Sequence, residues 1–135
     1  MSTLEEQMNA LLRKNSMNNS EIKSKFSPAV LRFDGMYIRR SDSYYYCIRF
    51  LPDNRVIACT FISVPKSLDA LTWDTSHASR GVYFLNNSSI RFSTDAGSGA
   101  VDYTGEILSD QMKLDSYSHI NGFRRKGANY TFQAF

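Results

Sequence analysis

Few residues in this chain are spaced for chemistry. His119 stands near Asp115 and Ser116, residue types that serve acid–base catalysis. Their spacing does not bring Ser116 and His119 within hydrogen-bond reach, and no nucleophile elbow surrounds the serine. With two histidines in all, a metal site would need carboxylates to complete it. Cys47 and Cys59 form neither a CxxC nor a Cys/His cluster, so they indicate neither zinc nor a disulfide scaffold. These patterns argue against an enzyme, a cofactor and a metal centre. Trp73, Asp74 and His77 share one long connection, where the Trp could close over a pocket or simply pack its loop down. Arg124-Arg125-Lys126 is the basic cluster of the sequence. Three charges without interleaved aromatics read as a solvated turn rather than a nucleic-acid contact.

What remains is binding. In the strands described below, one face carries Tyr37, Arg39, Tyr44, Tyr46, Phe50, Tyr83, Phe92, Tyr103, Leu114, Ser116, Tyr130 and Phe132. Six of these are tyrosines, and each buried hydroxyl needs a partner. Two readings are open. The tyrosines line a cavity of mixed polarity for a small hydrophobic or amphipathic ligand, or they point their hydroxyls out through the ends of a solid core. Arg39 has the parity of Tyr37. Facing inward it would hold a carboxylate bidentately; beyond the last core layer it is a solvent-facing arginine beside Arg40. These residues, without Leu114 and with Trp73 added, are the candidate ligand site.

The elements that must position them follow from length and periodicity. The chain has 135 residues, 42% hydrophobic and 21% charged, which suits one globular domain and excludes a disordered one. The formal net charge of +3 demands no nucleic-acid partner. No stretch nears the ~18–20 apolar residues of a membrane span. The early acidic residues Glu5 and Glu6 and the lack of an apolar h-region argue against a signal peptide. A cytoplasmic location is the default expectation, with the Asn-x-Ser/Thr triplets at Asn18, Asn86, Asn87 and Asn129 idle.

Residues 3–14 read as an amphipathic helix. Thr3 and Glu6 have capping-box spacing, and Leu4, Met8, Leu11 and Leu12 form one stripe. Ile22 and Phe26 suggest another helical turn before Pro28. From there the period is two. Pro52-Asp53-Asn54 closes a hairpin that sets Phe50 opposite Val56, Ile48 opposite Ala58 and Cys47 opposite Cys59. That cysteine pair is the wider, hydrogen-bonded kind, so free thiols are expected. Asn86-Asn87 suits a type I′ turn, and a turn at Ser109-Asp110 sets Glu106 opposite Lys113. A bulge at Gly127, or a longer loop before it, is needed to keep Tyr130 and Phe132 on the inner face. The segment 63–79 has room for a helical turn near Ser67–Leu71. Eight strands with this little helix hide one face best by closing, so the expected fold is all-β, an eight-stranded antiparallel up-and-down barrel over 31–135 behind a helical segment, 1–30.

Phe33-Asp-Gly-Met-Tyr37 resembles the first-strand G-x-W motif of the calycins, the lipocalin and fatty-acid-binding-protein superfamily, with Tyr for Trp. The run Tyr45-Tyr-Cys-Ile-Arg-Phe-Leu-Pro-Asp-Asn-Arg-Val56 is similar to a stretch in the calycin-like C-terminal domain of certain F-box proteins, though no F-box segment is present. Gly81-Val-Tyr83, Tyr103-x-Gly105-x-Ile107 and Tyr130-x-Phe132 follow in the order of that resemblance, which covers residues 31–135. It implies a lipocalin-like barrel and a ligand-binding role. The alternative is a solid barrel that works from outside, as a protein-interaction or dimerisation module, through Leu51, Ile57 and Phe61 and the N-terminal helix. Monomer and homodimer both fit.

The helix stripe needs a partner, because about twelve helical residues are marginal alone in water. The sequence predicts that segment 20–30 plugs the barrel end nearest Tyr37, while helix 3–14 packs outside or exchanges in a dimer. Deleting residues 1–15 then leaves a cooperative thermal melt, whereas Phe26→Asp lowers the midpoint by several degrees. The opposite pattern in a melting experiment reverses the two roles.

Overall fold

A computed structural model describes residues 30–135. The helix expected over 3–14 and the turn at Ile22 and Phe26 lie outside those residues. The strands are β1 (Gly35–Arg40), β2 (Tyr45–Phe50), β3 (Arg55–Phe61), β4 (Ser79–Asn86), β5 (Ser89–Asp95), β6 (Ala100–Leu108), β7 (Gln111–Ser118) and β8 (Arg124–Ala134). Each pairs antiparallel with the next, and β8 returns to β1 over Gly35–Ile38 and Thr131–Ala134, closing an up-and-down barrel.

Local chemistry explains the registers. Asn54 takes the left-handed conformation (φ 67°) after Pro52-Asp53, and Phe50 pairs with Val56, Ile48 with Ala58 and Cys47 with Cys59. Both thiols are free. Glu106 faces Lys113 across the Ser109-Asp110 turn. The Asn86-Asn87 turn is corrected by one residue. Asn86 pairs with Ser89 as the last strand pair, only Asn87 of the two has positive φ, and the reversal falls on Asn87-Ser88. The faces are unchanged, because a slip of two residues in the pairing preserves parity.

The bulge at Gly127 is present. Gly127 has φ 63°, and Leu114 pairs with Ala128 while Ser116 pairs with Arg125, so β8 carries one extra residue there. The Gly127 N–H donates to Asp115 Oδ1 at 2.7 Å, holding the bulge to the neighbouring strand.

The interior differs between its two ends. Around the end formed by Leu31, the β2–β3 turn and the β4–β5 and β6–β7 turns, large side chains fill the cross-section. Phe50 meets Tyr37, Tyr83 and Phe92 edge-on at 5.7, 5.2 and 5.3 Å. Leu31, 6% exposed, belongs to this cluster, and the Arg32 N–H donates to the Tyr37 hydroxyl at 3.0 Å. This end is closed.

The strands also approach unusually closely at inward glycines, Gly81 and Gly105 among them. A Cβ on Gly81 would stand 1.7 Å from the Ser93 carbonyl oxygen, and one on Gly105 would stand 1.9 Å from that of Lys113. Only glycine permits these bends.

A second apolar cluster lies outside the barrel. Met36, Cys47 and Ile57 are roofed by Leu71 and Ala78 of the β3–β4 connection, with Leu51, Phe61 and Trp73 at its margin. A 3-10 turn at Leu68–Ala70 sits where a helical turn was expected. Arg49 Nη1 donates to the Leu68 and Leu71 carbonyls at 3.1 and 2.9 Å. Arg80 donates to the carbonyls of Trp73, Thr75 and Ala78 from the other side. The outer patch at Ile57 is therefore covered by the chain's own connection, which supplies the apolar residues that the sequence reading sought in the N-terminal helix or a partner.

Two substitutions test this packing. Phe50→Ala is expected to cost about 3–5 kcal/mol of unfolding free energy, and Gly81→Ala about 1–3 kcal/mol, in urea titrations. Burial pushes the Cys47 thiol up to about 12, with Cys59 adding to the shift. Cys47 should therefore resist a thiol-alkylating reagent at pH 8 until denaturant is added, as peptide mass mapping would show.

Candidate functional site

At the opposite end, small and hydroxyl-bearing residues replace the aromatics. Ala58, Thr60, Ser79, Thr94, Ser116 and Ser118 leave the cross-section unfilled, and a cavity of about 380 Å³ results. Tyr46, Ile48, Val101, Tyr103 and Tyr130 also line it, as do the two cysteines Cys47 and Cys59, and exposed His77 and Phe123 stand at its mouth. Phe92, stacked on Tyr103 at 4.6 Å and 15°, marks the boundary with the filled half.

Arg39 is the central charge. It is partly buried, and its guanidinium lies over the Tyr46 ring at 4.2 Å and near Tyr130 at 5.8 Å. Its Nε is buried without a hydrogen-bond partner. Arg49 shares that feature, but its Nη1 is committed to two carbonyls of the connection. Arg125 also lines the cavity, and no Asp or Glu is among the lining residues. The lining therefore has positive and hydroxyl groups without a carboxylate to balance them.

Tyr103 is raised strongly above an ordinary phenol, first by burial and then by its neighbour Tyr130, with Arg39 and a hydrogen bond to Thr94 opposing. It is a neutral donor at physiological pH. Beside the mouth, Asp102 accepts from the Ser93 hydroxyl at 2.5 Å and pairs with His119 Nε2 at 2.7 Å. These partners, the serine first, hold its carboxyl below the usual range. Ser93, Asp102 and His119 place the carboxylate between serine and histidine, which is not the order of a nucleophilic triad. Ser116 lies in the cavity wall, apart from this group.

The candidate residues thus divide. Arg39, Tyr46, Tyr103, Ser116 and Tyr130 converge on the cavity. Tyr37, Phe50, Tyr83, Phe92 and Phe132 pack the core around and below it. The Tyr83 hydroxyl donates to the Leu51 carbonyl at 2.7 Å, and Arg32 covers the Phe132 ring at 4.1 Å. Tyr44 keeps its expected parity but is 46% exposed beyond the strand end, so it stands on the rim. Trp73 is corrected. It lies in the outer cluster with Arg55 4.7 Å over its ring, so it is no lid.

Several cavity residues escaped the sequence reading. Thr94, 2% exposed, is the one buried polar side chain among the described residues, and its parity with Phe92 was the available signal. Ser118 follows Ser116 in the same way. Arg125 reaches the lining because the bulge at Gly127 shifts its parity. Among the described residues, no group of His, Cys, Asp and Glu could hold a metal ion, and no helix is long and apolar enough to cross a membrane. Compared with protein-family models, curated proteins and solved structures, the chain matches none.

Proposed function

We propose that the chain is a non-enzymatic, small-molecule-binding barrel whose ligand is amphipathic and carries an anionic group toward Arg39. The observation that carries this reading is the partly buried Arg39, stacked on Tyr46 with its Nε unpartnered, in the wall of a cavity without acidic lining. A buried guanidinium donor costs free energy until an acceptor reaches it, and a carboxylate accepts from it in a planar fork. Tyr103, neutral and buried, offers a second donor. Ile48, Ala58 and Val101 give the less polar part of a ligand somewhere to lie. The cavity volume of about 380 Å³ falls within the range of small-ligand sites. The calycin-like motif order agrees with this role, and two free thiols agree with a cytoplasmic location.

An anionic amphiphile with environment-sensitive fluorescence, 1-anilinonaphthalene-8-sulfonate, tests the proposal. It should bind the native chain at one site, and Arg39→Met should weaken it about 10–100-fold while preserving the melting transition. Absence of saturable binding, or equal binding by Arg39→Met, overturns it in favour of a barrel that acts through its exterior.

A further inference from the structure

Resting on the anionic-ligand reading above, we propose that the ligand is a dianion, an amphiphile with an acidic group at each end, and that Arg125 receives the second group. Arg125 is then the residue that selects a two-headed acid over a one-headed one.

The lining holds two guanidinium side chains, Arg39 and Arg125, and no carboxylate. The ion pairs among the described residues are Arg32 with Asp34 and Asp110, Arg55 with Asp53, and His119 with Asp102. Neither lining arginine belongs to one. The acidic residues of this end lie outside the cavity. Asp95, Asp102 and Asp115 alternate with lining residues of their strands and so stand on the outer face, and Asp42, Asp69 and Asp74 belong to connections. Two positive charges in one partly enclosed space favour a second negative charge as well as a first.

The two arginines sit at different heights. The Arg39 guanidinium is 5.8 Å from the Tyr130 ring, and Tyr130 pairs with Met112. Arg125 pairs with Ser116, further along β7, and so leaves β8 about 13 Å nearer the mouth. Ser116 in turn pairs with Tyr103, so a hydroxyl and a neutral phenol share the rung of Arg125. That inward place depends on the bulge. Without the extra residue at Gly127, alternation from Tyr130 would turn position 125 outward. Heights this different suit two acceptors held apart by a spacer, as in an α,ω-dicarboxylate.

Displacement of 1-anilinonaphthalene-8-sulfonate by nonanedioate and by nonanoate, near neutral pH and at low salt, is the test. An apolar pocket with one cationic end prefers the monoacid, because burying a second carboxylate unpaired is costly. The parent chain should instead bind the diacid about tenfold more tightly. Arg125→Gln should abolish that preference while leaving nonanoate binding and the melting transition unchanged. Lys126→Gln, at an exposed cation outside the lining, should keep the preference. A parent chain that binds nonanedioate no more tightly than nonanoate overturns the second site and leaves a ligand at Arg39 standing, as does an Arg125→Gln chain that keeps the preference. An equal loss in Lys126→Gln also overturns it, since net charge alone would then explain the selectivity. Absence of saturable dye binding overturns both readings.

Discussion

Closure rests on β8. At 11 residues it is the longest strand, and it must pair with β7 along one edge and β1 along the other. Two-residue periodicity makes that double duty demanding, because a single misplaced residue would send Tyr130 and Phe132 to solvent. The extra residue at Gly127 resolves the conflict. It lets the strand leave the β7–β8 loop with Arg125 inward and still arrive at β1 with Phe132 inward, opposite Tyr37. One glycine with positive φ thereby sets both the aromatic packing of the closed end and a cationic residue at the open one.

The interior then separates by chemistry along the barrel axis. Tyr37 and Tyr83 satisfy their hydroxyls on backbone groups near the closed end, so their rings join a dry core. Tyr46, Tyr103 and Tyr130 border open space with Arg39 among them. Inward tyrosines thus close a filled layer at one end and border open space at the other. An eight-stranded barrel has barely enough cross-section for either outcome, and replacing Phe and Tyr by Ser, Thr and Ala is enough to change a filled layer into a hollow one.

Face was legible in the sequence and height was not. Pro52-Asp53-Asn54 fixed a hairpin, and strict alternation placed Tyr46, Phe50, Phe92 and Tyr103 on the inner side. Alternation says nothing about how far along the axis a residue sits, because that depends on strand tilt and stagger around the whole barrel. Phe92 and Thr94 share a face, yet Phe92 belongs to the core cluster and Thr94 lines the cavity. The path of the β3–β4 connection was hidden for a different reason. Arg49 and Arg80 hold it down through backbone carbonyls, which any sequence presents.

That connection also governs what the chain can report about itself. Its Trp73 is the single tryptophan of the sequence and lies outside the barrel beneath the Arg55 guanidinium. Indole emission therefore monitors whether the connection stays seated on Ile57 and its neighbours. Intrinsic fluorescence is an optical gauge of the exterior, and events inside the cavity need tyrosine signals or an added chromophore to be seen.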